Sequence, residues 1–191
     1  MKTGRAILVL VAVVAIAALL YLGGGRILGV GDAGSSSPAQ GTDAGANADD
    51  ATAASAGPAV PDDAGEAWID YVHDGDTLFL TDGRKVRLLG IDTPEVGEHA
   101  ECWGDVARDR LRELLPEGTH VRTVADVQPL DQYDRSLLFL FTDDGALVNL
   151  GLIRDGYAEA VVLEPNVLWA DRLEAAEDEA QAASRGIWGA C

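Results

Sequence analysis

Three short stretches carry side chains fit for chemistry: Asp74-Gly75-Asp76-Thr77, Val86-Arg87-Leu88-Leu89-Gly90-Ile91-Asp92-Thr93-Pro94-Glu95, and Asp131-Gln132-Tyr133-Asp134-Arg135. Carboxylates such as Asp76 and Asp92 are hard oxygen donors of the kind that hold Ca²⁺. A guanidinium offers planar, two-pronged donors to an oxyanion. Taken singly, each stretch has an ordinary explanation. Asp-Gly-Asp-Thr is most often a turn, and an arginine in a strand is usually part of a solvated face. The second stretch is more specific. It sets Arg87, Asp92 and Glu95 around one strand end, with Pro94 fixing the backbone between the two acids.

The elements that must position these residues are legible from periodicity. Ala67–Val72, Thr77–Leu80 and Lys85–Leu89 read as short strands, with Asp82-Gly83 as a hairpin turn between the last two. His120–Val124 and Leu137–Thr142 read as two more. Three helices are expected. Trp103–Leu115 carries Val106, Ala107, Leu111, Leu114 and Leu115 on one face and stops at Pro116. Asn149–Asp155 is short and ends at Gly156. Val167–Ser184 starts after Asn166 as N-cap and buries Leu168, Trp169, Leu173, Ala176, Ala180 and Ala183. About five strands with a helix inserted after the third suggest an α+β domain, a small OB-type barrel with appended helices.

In this order, the three stretches closely resemble the thermonuclease (staphylococcal nuclease-like) family. The resemblance runs from Trp68 to Trp188 and includes Val148-Asn149, Glu164-Pro165-Asn166 and Gly186-Ile187-Trp188. It implies an OB-fold five-stranded barrel with about three helices, and calcium-dependent hydrolysis of DNA and RNA. By resemblance, Asp76, Asp92 and the backbone carbonyl of Thr93 are the Ca²⁺ ligands. Glu95 matches the family's general base, or alternatively a group that only orients the attacking water. Arg87 and Arg135 match the pair that grips the phosphate. Tyr133 is either a phosphate-pocket residue or a packing residue, and Asp74 supports the metal acids from behind. The chemistry is coherent: a phosphodiester is anionic, so its site must neutralise charge, activate water and stabilise a pentacoordinate transition state.

The match has departures. The family's glycine before the second arginine is Asp134, at a position that calls for an unusual backbone angle Asp tolerates. Gln132 stands where the best-known members carry a basic residue. Val161 and Leu163 stand where they carry two base-stacking tyrosines, so grip on the substrate is expected to differ.

Composition sets the surroundings. The 191 residues carry 32 acids and 14 basic side chains, a formal charge of −18, and only Lys2 and Lys85 are lysines. An acidic, lysine-poor surface suggests an organism that works in concentrated salt, where screening shortens repulsion between carboxylates to about 3 Å at ~1 M. Residues 1–30 read as a membrane anchor or signal segment. Lys2 and Arg5 precede an apolar run, residues 6–28 meet the membrane, and the rest of the chain lies outside it. No small-x-small site directly follows the run, which favours an uncleaved anchor over secretion after cleavage. Residues 31–65 read as a disordered acidic tether rich in Ala, Gly, Ser and Asp.

The domain is expected at 66–191. Six of the acids and three of the basic residues precede it, which leaves a formal charge of −15. That charge argues against a nucleic-acid partner, an objection that weakens in high salt. An exported domain with two cysteines is expected to pair Cys102 with Cys191. His73, His99 and His120 lack metal-ligand spacing, and Trp103, Trp169 and Trp188 read as core. No protein partner is implied, so the chain is expected to be monomeric. The main rival reading is a catalytically weak nucleic-acid-binding module on the same fold. A module of that kind would have lost Arg87, Glu95 or Arg135, and none is lost.

Overall fold

The computed structural model describes residues 57–191, so the anchor and most of the tether lie outside the described residues. The chain runs β1 (Gly65–Val72), β2 (Thr77–Leu80), β3 (Lys85–Leu88), β4 (Ile91–Asp92), a 3-10 turn (Gly97–His99), α1 (Gly104–Leu114), β5 (His120–Val124), β6 (Ser136–Phe141), α2 (Val148–Arg154), β7 (Glu159–Ala160), α3 (Ala170–Ala182) and a terminal turn, α4 (Ile187–Ala190). Five strands close a barrel in the order β1-β2-β3-β6-β5, and β4 and β7 form a separate pair. The expected five-stranded barrel with three main helices is present.

Alternation explains the strands. In β1, Ala67, Ile69 and Val72 are buried while Trp68 and Tyr71 are exposed. The first half of β1 pairs with β5 and the second half with β2, and a bulge interrupts the register between Ile69 and Tyr71. β3 and β6 run parallel, with Arg87 opposite Leu137. Ile69, Leu78, Val86, Val121, Leu140 and Phe141 fill the centre. Asn149 is fully buried, and its amide locks α2 to the barrel. It accepts from Leu140 N–H at 3.0 Å and donates to Leu89 O at 2.8 Å and to Leu138 O at 3.4 Å.

The helices differ from expectation in detail. α3 begins at Ala170, because Trp169 adopts φ 64° and packs edge-on against Phe139 and Phe141. Asn166 therefore caps no helix, and its side chain instead bonds the N–H and carbonyl of Gln128. On α1 the buried stripe is Gly104, Ala107 and Leu111, which leaves Val106 off the stripe and 42% exposed. Ala183 lies past the end of α3 and is exposed.

The Cys102–Cys191 bond is present, joining the approach to α1 to α4 across 89 residues. In the chain-entropy account, a loop of that length corresponds to about 4.6 kcal/mol. The last residues of the expected tether sit on the barrel. Pro58 is buried, Val60 packs against the core, and Arg122 donates to Ala64 O at 2.8 Å. The physical reason is that Pro58 and Val60 bring apolar surface that the rest of the tether lacks. A chain that starts at Gly57 should therefore exceed one that starts at Glu66 by about 1–3 kcal/mol in urea unfolding, the scale of burying two small apolar side chains. Equal midpoints would return residues 57–65 to the tether.

Candidate active site

The turn after β1 and the strand after it bring the first acids into place. Asp74 Oδ1 accepts the N–H groups of Asp76 at 3.1 Å and Thr77 at 2.6 Å, an Asx-type turn that aims Asp76 inward. Asp74 thus supports Asp76 through its backbone. Gly75 has to be glycine, because a Cβ there would lie 2.6 Å from the Thr93 hydroxyl. Thr93 returns that closeness as hydrogen bonds. Its N–H and Oγ1 both reach Asp76 Oδ2 at 3.2 Å, and Thr77 Oγ1 donates to Asp76 Oδ1 at 3.1 Å.

Arg87, opposite Thr77 in the β2–β3 register, supplies the positive charge. Its Nη1 donates to the carbonyls of Leu88 at 2.7 Å and Ile91 at 2.6 Å. Its Nη2 lies 2.7 Å from Asp92 Oδ1 and 3.2 Å from Asp76 Oδ2. Asp76 is buried and Asp92 exposed, so the pair presents one carboxylate to the protein and one to solvent. Burial pushes the Asp76 carboxyl up to about 6; Arg87 pulls it back, Asp74 adds to the rise, and the hydrogen bonds from Thr93 and Thr77 lower it.

Because both carboxylate oxygens touch one nitrogen, they lie no further apart than the two contacts end to end. Ca²⁺ takes hard carboxylate oxygens at about 2.3–2.6 Å, and these two converge on one side of Arg87. Two hard carboxylates beside Thr93 fit the cation expected there. Among the described residues, no three His, Cys, Asp or Glu side chains gather at one point. Glu95 is therefore not part of an acid cluster.

Glu95 stands on the exposed loop after β4. Its backbone is held: N–H to Glu101 Oε2 at 3.0 Å, and its carbonyl to Glu101 N–H at 2.9 Å. Gly104 packs under it, and a Cβ there would come 2.1 Å from Glu95 O. The Glu95 carboxylate itself makes no hydrogen bond or ion pair among the described residues. The neighbouring Cys102 carries the disulfide, which anchors the far end of this loop.

Arg135 approaches from the loop before β6. Asp131 organises that loop: Oδ1 accepts the N–H groups of Tyr133 and Arg135, each at 2.9 Å, and Oδ2 takes Arg135 Nε at 2.6 Å. Partial burial pushes the Asp131 carboxyl up, but the Arg135 N–H, its guanidinium and the Tyr133 N–H outweigh this and hold it below the usual carboxylate range. Asp134 takes φ 60°, the left-handed angle expected where the family has glycine. The Arg135 guanidinium lies 5.6 Å from the exposed Tyr133 ring.

Arg87, Arg135, Tyr133 and Gln132 line one cleft of about 410 Å³, with Val161 and Leu163 on its wall. Asp76, Asp92 and Glu95 are not among its lining residues, and the two aspartates adjoin it by touching Arg87. Sequence reasoning missed two parts. Asp131 had no assigned role, because its bond to Arg135 is made across a loop and carries no periodic signal. The Asn166–Gln128 bridge that closes the cleft wall was hidden by the expectation of a helix cap.

Residues 85–190 match the family described as Staphylococcal nuclease homologue. The chain is 33% identical over 131 residues to the thermonuclease of Staphylococcus intermedius, covering 65% of this chain and 77% of that one. It is 32% identical over 123 residues to the thermonuclease of Staphylococcus hyicus, 61% of this chain and 72% of that one. It is also 31% identical over 147 residues to endonuclease YhcR of Bacillus subtilis, 69% of this chain but 12% of that longer protein. The matched span holds Arg87, Asp92, Thr93, Glu95 and Arg135, and with that coverage the chain belongs to the staphylococcal nuclease homologue family.

Proposed function

We propose that this chain is a Ca²⁺-dependent phosphodiesterase that cleaves DNA and RNA within the strand, as an endonuclease, outside the cell membrane. The single observation that carries the proposal is the placement of Arg87 and Arg135 on one cleft, with Asp76 and Asp92 both touching the first guanidinium. The names of the relatives, thermonuclease and endonuclease, agree with it. Asp76, Asp92 and the Thr93 carbonyl would hold Ca²⁺, which supplies charge neutralisation at the phosphate and a more acidic bound water.

The chain's own side chains do the rest. The carbonyls of Leu88 and Ile91 hold Nη1 of Arg87 while Asp76 and Asp92 share Nη2, so a phosphate oxygen meets Arg87 at Nη2 in competition with those carboxylates. Asp131 holds Arg135 by Nε, which leaves its terminal nitrogens for a second oxygen. Charge-assisted donors from two guanidiniums on one phosphate strengthen as charge builds on its equatorial oxygens. Glu95, with a free carboxylate on a fastened loop, takes a proton from the attacking water or orients it. Tyr133 flanks the phosphate beside Arg135.

Location follows from the rest of the chain. Residues 1–30 anchor it in the membrane and 31–56 tether the domain outside. The disulfide suits such an oxidising compartment. Every proposed site residue comes from one chain, so a monomer suffices. The acidic surface fits an organism that lives in concentrated salt.

Four outcomes are expected. Plasmid nicking should need Ca²⁺ and stop in chelator; nicking that persists in chelator would remove the metal assignment. Arg87→Lys or Arg135→Lys should cut turnover by at least ~10²-fold, because Lys keeps the charge and loses the fork. A near-wild-type rate would take that arginine out of the mechanism.

Asp131→Asn keeps an acceptor for the loop N–H groups but faces Arg135 with an amide. It should cost about 1–3 kcal/mol of stability at pH 7 and lower turnover. Because the native Asp131 carboxyl titrates below its unfolded value, this stability is present above about pH 4 and is lost as the pH falls through the native value. Unfolding midpoints of variant and parent should therefore converge in acid; a gap that stays constant down to about pH 2 would show that charge is not its cause.

Salt separates the acidic surface from an accident of composition. From about 0.1 to ~2 M KCl at saturating Ca²⁺, cleavage should hold or rise, because only short-range contacts survive a screening length of about 3 Å at ~1 M. A steep loss with circular dichroism unchanged would remove the high-salt assignment.

A further inference from the structure

Arg87 is not alone on the outer face of the barrel. Side chains alternate along β3, so Lys85 shares that face and stands about 6.8 Å away, two residues at ~3.4 Å each. Phe79 on β2 pairs with Lys85, and Tyr71 on β1 pairs with Phe79. The Tyr71 and Phe79 rings are stacked, with centroids 4.5 Å apart and planes 12° from parallel. Lys85 Nζ lies 5.6 Å from the Phe79 ring centre.

An aromatic pair across two strands, here Tyr71 exposed and Phe79 half-buried, is usually plain sheet packing. Three observations point further. Tyr71 reaches this face only through the bulge in β1. Strict alternation after buried Ile69 would turn Tyr71 inward, yet Asp70 and Tyr71 are both exposed. Bulges beside active sites re-aim side chains in this way. Lys85 is the single lysine of the described residues, and among them it has no carboxylate partner, whereas Arg84, Arg87 and Arg135 each pair with an aspartate. Finally, the patch continues directly from Arg87, while the cleft itself offers one exposed ring, Tyr133, beside the aliphatic Val161 and Leu163.

We propose that Tyr71, Phe79 and Lys85 form a platform for single-stranded nucleic acid that leaves the Arg87 cleft along β3. Phe79 lies between Tyr71 and Lys85, so Tyr71 takes a base by stacking on its outer face, which tolerates any sequence, and Lys85 takes a phosphate. The platform rests on the hydrolase proposed above and extends it to strands longer than the bond being cut. Asp70, on the bulge beside Tyr71, opposes the strand electrostatically.

The test uses the full chain with single-stranded oligothymidylates of two and twelve nucleotides. The unmodified chain should prefer the twelve-mer. Tyr71→Ala and Lys85→Glu should each raise KM for the twelve-mer about tenfold at unchanged kcat. Asp70→Asn should lower it. Val106→Ser, on the exposed side of α1, is the control and should leave KM alone. Among the described residues the Lys85 side chain makes no hydrogen bond or ion pair, so Lys85→Glu reads the platform even if Tyr71→Ala fails to fold. A twelve-mer KM unmoved by Lys85→Glu would overturn the platform, as would an equal effect of Val106→Ser. If the unmodified chain cuts neither oligonucleotide, the hydrolase proposal falls. Anisotropy of a fluorescein-labelled twelve-mer, with and without Lys85→Glu, then still decides the platform. A labelled duplex that binds equally well, with the same loss in Lys85→Glu, would overturn the single-strand assignment.

Discussion

One guanidinium holds the centre of this structure together. Arg87 gives one nitrogen to two backbone carbonyls, Leu88 and Ile91, and the other to two carboxylates, Asp76 and Asp92. The carbonyls fix the chain where it leaves β3 for β4, and the carboxylates fix the two turns that meet over it. A buried carboxylate without a cation beside it would be costly, and Asp76 is already pushed toward its neutral form by burial. The placement of Arg87 therefore sets the spacing of everything around it. That placement depends in turn on the β2–β3 register, which puts Thr77 opposite Arg87, and on the parallel pairing of β3 with β6, which brings Arg135 to the same cleft.

The second constraint is the shortage of positive charge. Most arginines of the barrel and α1 are committed to an aspartate or glutamate of their own neighbourhood: Arg84 to Asp82, Arg108 to Asp105 and Asp109, Arg110 to Glu113, Arg135 to Asp131. All but the partly buried Arg135–Asp131 pair are exposed and add little stability, on the order of 0–1 kcal/mol each. Their effect is to leave the far field of the domain negative and to confine attraction for an anion to contact distance. Recognition of a polyanion then has to come from geometry, meaning forks, stacked rings and a bound cation, rather than from a broad basic surface.

Much of the barrel was legible because its strands alternate cleanly and Asp82-Gly83 turns the chain where expected. The parallel β3–β6 pairing, which makes the cleft, leaves no trace in local pattern. β4 and β7 are two residues each, too short for periodicity to report. The start of α3 was misplaced because Asn166 is a good cap by type, yet tertiary packing of Trp169 on Phe139 and Phe141 decided the matter. The left-handed angle at Asp134 could be foreseen, since Asp is among the few non-glycine residues that tolerate it. The bulge at Asp70 and the Asp131 clamp could not, because neither residue type is unusual at its position.

The Cys102–Cys191 bond has a consequence for the order of events in the life of the molecule. The loop that carries Glu95 is closed at one end by Glu101 and Gly104, and fastened at the other through a cysteine made 89 residues later. A ribosome delivers the chain from the N-terminus, so the barrel strands, both arginines and the aspartates all emerge before the loop can be tied. Tying it also needs an oxidant, which the interior of an ordinary cell does not supply. The bond thus comes after every proposed site residue has been made, and it closes only where an oxidant reaches the finished chain.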